Sequence, residues 1–431
     1  MNTTKSHNNY LPSPLVNQPL LISILIYLSI IIVTWQVTPS PHVDNEYYLK
    51  VAQGFSVIAP FSKRILYPDI AMALHKFTGI SLDHSFMLAN TIALLILIIS
   101  VTYLVDKLTT FPLLSALFLF NPFLIRVFKE AILPDLFFAA LLGIFFIFLY
   151  HSLFWPSLVL LFLLYFTRDN ALFVCLALAV AAWWQGRLKW AVGGLVAIPA
   201  ANVILSWITS GKGGTNMYEI SNFLYMVFKV PKNLLYNVFG ILIWNNIHPT
   251  VGIPVIKFDL PSWLPLGALH TLGICQWEPA IPLRTITLIL TTFGLLPLLL
   301  GFILIRNYQV VKGASLWLLV ALLYGCSSFL VGVMVSLDIG RQIGYAWPVF
   351  WLAAPVLLLQ NYQLSNSVIY RLTSYQIALY WLPWFLTPWL VTRFQDQVPF
   401  SIIYVLLLAL VLQVLALREL LTLRRREELS Q

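Results

Sequence analysis

Four stretches of the chain combine acidic and basic residues in a way that suits transfer of a group from a phosphate. The first holds Asp44 and Glu46 just after Pro41 and His42, followed by Lys63 and Arg64 between Pro60 and Pro68. A carboxylate pair followed by a basic pair puts a base and a phosphate ligand on one compact loop. Glycosyl transfer from a lipid phosphate needs that combination. The acceptor hydroxyl gives its proton to a positioned carboxylate, and the departing phosphate, already a stable anion, needs cationic partners rather than an acid. A short amphipathic helix with its charges in water is the plainer reading of this loop taken alone. The same grammar recurs in three places: at Arg126, Lys129, Glu130 and Asp135, at Arg168 and Asp169, and at Asp338 and Arg341. An isolated pair is usually an ordinary helix-end ion pair. Several on one face point to a polar site, because ionisable groups near membrane depth line cavities and pathways.

The elements that must position these residues are membrane helices. Of the 431 residues, 60% are hydrophobic and only 10% charged, with a mean hydropathy of +0.86. A soluble domain carries far more charge, so a water-soluble globular protein is excluded. The net charge of +9 is read through the positive-inside rule rather than as a nucleic-acid footprint. The three cysteines, Cys175, Cys275 and Cys326, lie too far apart to imply a disulfide framework or a zinc site. The first apolar run is too long for a signal-peptide core and is taken as a retained span.

Apolar windows set against breakers give an all-α polytopic chain of about twelve spans, with roughly ten to thirteen the range that short windows allow. They lie at 20–37, 86–105, 110–125, 135–150, 153–166, 171–184, 190–208, 286–305, 314–336, 343–359, 377–391 and 400–417. The expected organisation is a cytoplasmic tail at 1–19, one transmembrane domain at 20–417 and a basic cytoplasmic tail at 418–431. Two long extracytoplasmic segments follow, at 38–85 and 209–284, the second with an interfacial stretch at 217–244. Lys107, Arg187, Lys189, Arg306, Lys312 and Arg371 then mark the cytoplasmic side. Only Asp106, Glu419, Glu427 and Glu428 of the sixteen acidic residues share that side. The remaining acids gather at the opposite face, which is solvated loop surface or a polar site. No internal repeat or low-complexity run is present, and the Gly211, Lys212, Gly213 turn lacks phosphate-loop spacing.

In this layout the first-loop carboxylate, the Pro60 to Pro68 stretch, the Asn121–Pro122 turn leading to Pro134 and Asp135, the Thr167 to Ala171 run and the Asp338 and Arg341 pair resemble the polytopic GT-C glycosyltransferases. That resemblance implies a membrane enzyme acting on the extracytoplasmic face, with a polyprenyl-phosphate sugar as donor and a glycan, lipid or protein acceptor. It implies inversion in a single displacement, with Asp44 as the general base or a residue that helps to hold the acceptor, and with Glu46 as its rival for that role and a further substrate-binding candidate. Asp135 matches a second acidic residue, and Lys63, Arg64, Arg168, Asp338 and Arg341 match substrate-binding positions, the arginines holding the donor phosphate. Some members bind a divalent metal such as Mg or Mn. His42, Asp44, Glu46 and Asp135 are the candidate ligands, at no diagnostic spacing. The compact loops suggest an inner (plasma) membrane location with both termini cytoplasmic. A multi-pass transporter or lipid flippase, or a lipid-linked oligosaccharide polymerase or ligase, is the alternative; a transporter would show paired halves and charges at the bilayer midplane.

Overall fold

The computed structural model describes residues 18–34, 42, 44–57, 61–109, 122–209, 230–231, 233–243, 274–277, 280–293, 296–306, 313–335, 339–353 and 357. Expected spans at 377–391 and 400–417, residues 1–17 of the expected N-terminal tail, the whole C-terminal tail, and most of 110–125 and 217–244 lie outside them. The described residues are mostly helical, built around a main apolar core with three smaller buried clusters beside it. Helix α1 is Gln18–Thr34, and α2 (Asn45–Ala52) and α3 (Leu66–Thr78) occupy the first expected loop segment, joined by a 3-10 turn at Phe61–Lys63. Then come α4 (Leu82–Thr109), α5 (Pro122–Lys129), α6 (Asp135–Tyr150), α7 (Phe154–Thr167), α8 (Ala171–Trp184) and α9 (Leu188–Thr209). Beyond them lie α10 (Ala280–Phe293), α11 (Leu296–Arg306), α12 (Leu316–Val335), α13 (Ile339–Gly344) and a π-helical turn, Pro348–Ala353.

Helices α4, α9 and α12 are long and apolar enough to cross a membrane. Several boundaries follow from single residues. Pro134 precedes α6, and its fixed φ suits entry to a helix. At the other end of α6, Ser152 has φ 56°, the Leu153 amide donates to the Phe148 carbonyl at 2.8 Å and the Ser152 amide to Leu149 at 3.1 Å. The same Schellman closure ends α8, where Gly186 has φ 69° and the Arg187 amide donates to Ala182 at 2.8 Å. Expected and observed helices coincide at 135–150 and 171–184.

Within the span expected at 286–305 the described residues form α10 and α11. Two other expectations need correction. The span expected at 343–359 starts earlier, as α13, and turns at Tyr345 and Ala346 before Pro348. The segment at 209–284 is not free of sheet. Ile241–Ile243 and Ile274–Trp277 pair as antiparallel strands β1 and β2, with Ile241 opposite Trp277.

Helix α4 packs between α1 and α6, α7 packs on α6 and α9, and α8 lies between α9 and α12. The lengths are unequal in a way that shapes one end of the bundle. At about 1.5 Å per residue, the 14 residues of α7 cover roughly 21 Å and the 22 residues of α9 roughly 33 Å. Both start at one level, since the Lys189 ammonium lies over the Phe154 ring at 4.4 Å. At the far end Tyr165 of α7 donates to Asn202 of α9 at 2.9 Å, and α9 continues past it. The protruding part of α9 buries Leu205 against Val51 of α2 and Ile65. Helices α6, α7 and α8 therefore end on a ledge, with α2 and α3 packed beside and above it.

Candidate functional site

The ledge gathers charged side chains from segments far apart in the sequence. Asp135 opens α6, Arg168 follows the last residue of α7, Arg341 sits on α13 and Asp44 immediately precedes α2. Arg168 Nη1 donates to Asp135 Oδ1. Arg341 reaches both carboxylates, with Nη2 3.5 Å from Asp44 Oδ2 and Nη1 3.9 Å from Asp135 Oδ2. Arg64, immediately before α3, donates to Asp169 at 2.8 Å and to the Tyr48 hydroxyl at 2.9 Å. Asn170 Nδ2 donates to Gln342 Oε1 at 3.4 Å, tying the α7–α8 turn to α13.

Burial grades across this network. The Asp135 and Arg168 side chains are 0% and 3% exposed, Arg341 9%, Arg64 12%, Asp44 23% and Asp169 50%. Asp135 and Arg168 thus form an enclosed floor, and Asp44, Arg64 and Asp169 form the rim that solutes reach. The guanidinium of Arg168 also lies 4.7 Å over the Tyr345 ring, and Arg64 lies 5.5 Å over Phe61, which stacks on Tyr47 at 4.5 Å. These aromatic faces hold the guanidinium groups through the ring quadrupole and restrict their directions.

Positioning comes from buried contacts below the charges. The Tyr67 hydroxyl donates toward the carbonyls of Ala131, at 2.5 Å, and Phe86, at 3.1 Å, so α3 and α4 clamp the turn that delivers Asp135. Burial pushes the Tyr67 phenol well above its ordinary pKa, with the Asp135 charge adding to the effect, and it stays a donor. Burial likewise raises Tyr48. On the other side α5 meets α13 so closely that a Cβ at Gly344 would stand 2.0 Å from the Phe123 ring; glycine there lets α13 bring Arg341 inward.

The expected site residues divide into two groups. Asp44, Arg64, Asp135, Arg168 and Arg341 belong to the network. Glu46 does not: it is exposed and pairs with Lys50 at 2.6 Å, one turn along α2. Lys63 is exposed and makes no ion pair among the described residues, and Asp338 lies outside them. Asp169 and Asn170, which the sequence marked only as part of the Thr167 to Ala171 run and gave no role, join the network, as do Tyr48, Gln342 and Tyr345. The last three had no signal in the sequence, because tyrosines and amides abound in interfacial segments.

A divalent ion fits this arrangement poorly. Among the described residues no group of three or more His, Cys, Asp or Glu gathers to hold a metal. His42 Nδ1 lies 3.6 Å from Asp44 and accepts the Asp44 amide at 3.1 Å, but Glu46 faces Lys50 and Asp135 faces two arginines. Arg341 stands between the two carboxylates, where a bridging cation would have to compete with its guanidinium.

No protein-family profile and no curated protein matches the chain. Among solved structures, an Archaeoglobus fulgidus oligosaccharyltransferase in the apo form is similar at 12% identity and a TM-score of 0.44. The match covers 93% of this chain and 56% of that one, so the chain spans little more than half of its length. Similarity at that level does not establish a family.

Proposed function

We propose that the chain is an integral membrane glycosyltransferase that moves a sugar from a polyprenyl-phosphate donor to an acceptor hydroxyl at the ledge. The observation that carries this reading is the convergence of Asp44, Asp135, Arg168 and Arg341 from separate segments onto one recessed polar floor at a bundle end. The chemistry needs a reachable base and buried cations, and that is the division of exposure described above. Asp44 takes the acceptor proton as the new bond to the anomeric carbon forms, and the bond from that carbon to the phosphate oxygen breaks with its electrons on the oxygen. Attack opposite the leaving group inverts the anomeric centre. Arg64 and Arg341 meet the phosphate as its charge grows, a contribution of a few kcal/mol for a well-placed donor group. Arg168 Nε, Arg64 Nε and Asp135 Oδ2 are buried and make no hydrogen bond, which leaves polar capacity for a ligand.

In this reading the ledge faces the extracytoplasmic side of a plasma membrane, the prenyl chain lies in the bilayer, and the acceptor is a glycan, lipid or protein. Purified protein is incubated with radiolabelled polyprenyl-phosphate sugars and candidate acceptors. Transfer by wild type and its loss in Asp44→Asn, with unchanged thermal unfolding, is expected. Wild-type turnover in Asp44→Asn removes Asp44 from the mechanism, and no transfer from any donor of this class overturns the reading.

A further inference from the structure

The opposite end of the bundle carries cations of a different kind. Lys107 ends α4, and Arg187 and Lys189 flank the α8–α9 turn; all three are exposed. Among the described residues none of the three pairs with a carboxylate, and Asp106, half-buried beside Lys107, is the acidic residue at that end. Two of these cations lie on aromatic faces instead. Lys189 sits 4.4 Å from the Phe154 ring centre and 5.4 Å from Trp155, and Lys107 sits 5.7 Å from Tyr103. Contacts join them into one rim. The Tyr103 hydroxyl lies 2.7 Å from His151 Nε2, His151 leads by a short turn into Phe154, and Phe154 meets Trp190 edge-on at 5.1 Å. Trp155, Trp183 and Trp184 are exposed around it, at 67%, 76% and 73%.

We infer that this rim is a binding site for the headgroups of anionic phospholipids. Exposed tryptophans beside apolar helix faces belong at the depth where acyl chains meet headgroups. An exposed ammonium lying over a ring face has no carboxylate partner there and keeps N–H donors with which to meet a phosphate. At the ledge, by contrast, the described arginines Arg64, Arg168 and Arg341 already face carboxylates. A zwitterionic headgroup brings its own cation and would place it against three others; an anionic one does not. Charge complementarity thus selects phosphatidylglycerol-like lipids over phosphatidylcholine, and the inference is independent of the transferase reading.

The test uses the full chain in nanodiscs of phosphatidylcholine alone or with added phosphatidylglycerol. Retained lipid is counted by native mass spectrometry, and thermal unfolding is followed in parallel. Wild type is expected to retain phosphatidylglycerol selectively and to unfold at a higher temperature in its presence. Replacing Lys107, Arg187 and Lys189 by Gln should abolish both effects while leaving unfolding in pure phosphatidylcholine unchanged, with about a fivefold loss of lipid affinity for each cation removed. Lys189→Arg should retain the effects. Equal retention of the two lipids by wild type, or undiminished selectivity in the triple variant, overturns the inference. So does an equal thermal shift from inorganic phosphate, which would mark a site for soluble anions.

Discussion

The two ends of the helical bundle use positive charge in opposite ways. On the ledge Arg64, Arg168 and Arg341 face carboxylates, and two of these guanidinium groups also lie over aromatic rings. At the other end Lys107 and Lys189 have the rings without the carboxylates. The difference follows from burial. A guanidinium that is 3% exposed, like Arg168, needs a counter-charge, because an uncompensated ion in low dielectric costs several kcal/mol. An exposed lysine needs none and stays available to whatever lies outside. The enclosed network is held by its ion pairs, and the cations of the open end are exposed with no carboxylate partner among the described residues.

The largest effect that would sharpen this contrast is on chemistry. Asp44→Asn should lower transfer by about two to four orders of magnitude without lowering the unfolding temperature, whereas Lys189→Gln should leave turnover unchanged. Next in size, Asp135→Ala leaves the buried Arg168 guanidinium without its carboxylate and should cost about 3–5 kcal/mol in denaturant-monitored stability, and Arg168→Ala, which leaves Asp135 the more distant Arg341, should cost less. The double variant Asp135→Asn with Arg168→Gln should recover a large part of that loss. If the single and double variants are equally unstable, the floor is not a coupled ion pair.

Arg64→Ala should raise the donor KM about tenfold with a smaller change in kcat, because Arg64 stands at the rim rather than beneath it. Glu46→Gln should leave transfer at the wild-type rate, since Glu46 faces Lys50 and the solvent; a loss there would return it as a rival for the base. The smallest effect belongs to the opposite end. Ser152 and Gly186 close the same kind of turn, but Ser152 carries a Cβ at φ 56°. Ser152→Gly should therefore stabilise the protein by about 1 kcal/mol, read as a raised unfolding temperature.

Helix limits were legible where chemistry and steric rules act over a few residues. The break between Pro134 and Asp135 and the run from Thr167 to Asn170 located α6, α7 and α8, because apolar runs end where charge and helix breakers coincide. The strand pair was not legible, since Ile241–Ile243 and Ile274–Trp277 are short apolar stretches whose pairing depends on a distant partner.

The sequence by itself determined that the chain is too apolar for water, that its charges gather at helix ends, and that Asp44 and Glu46 are the two carboxylates of the first segment. Only the tertiary structure decided between their surroundings. Two residues along a helix project about 200° apart, so neighbours in sequence enter different environments. Asp44 meets Arg341, separated from it by 297 positions, and Glu46 meets Lys50, separated by four. The second contact is a property of one helix and can be read from spacing. The first exists because α2 and α13 are packed against the same ledge, and the pairing of distant charges is set by that packing alone.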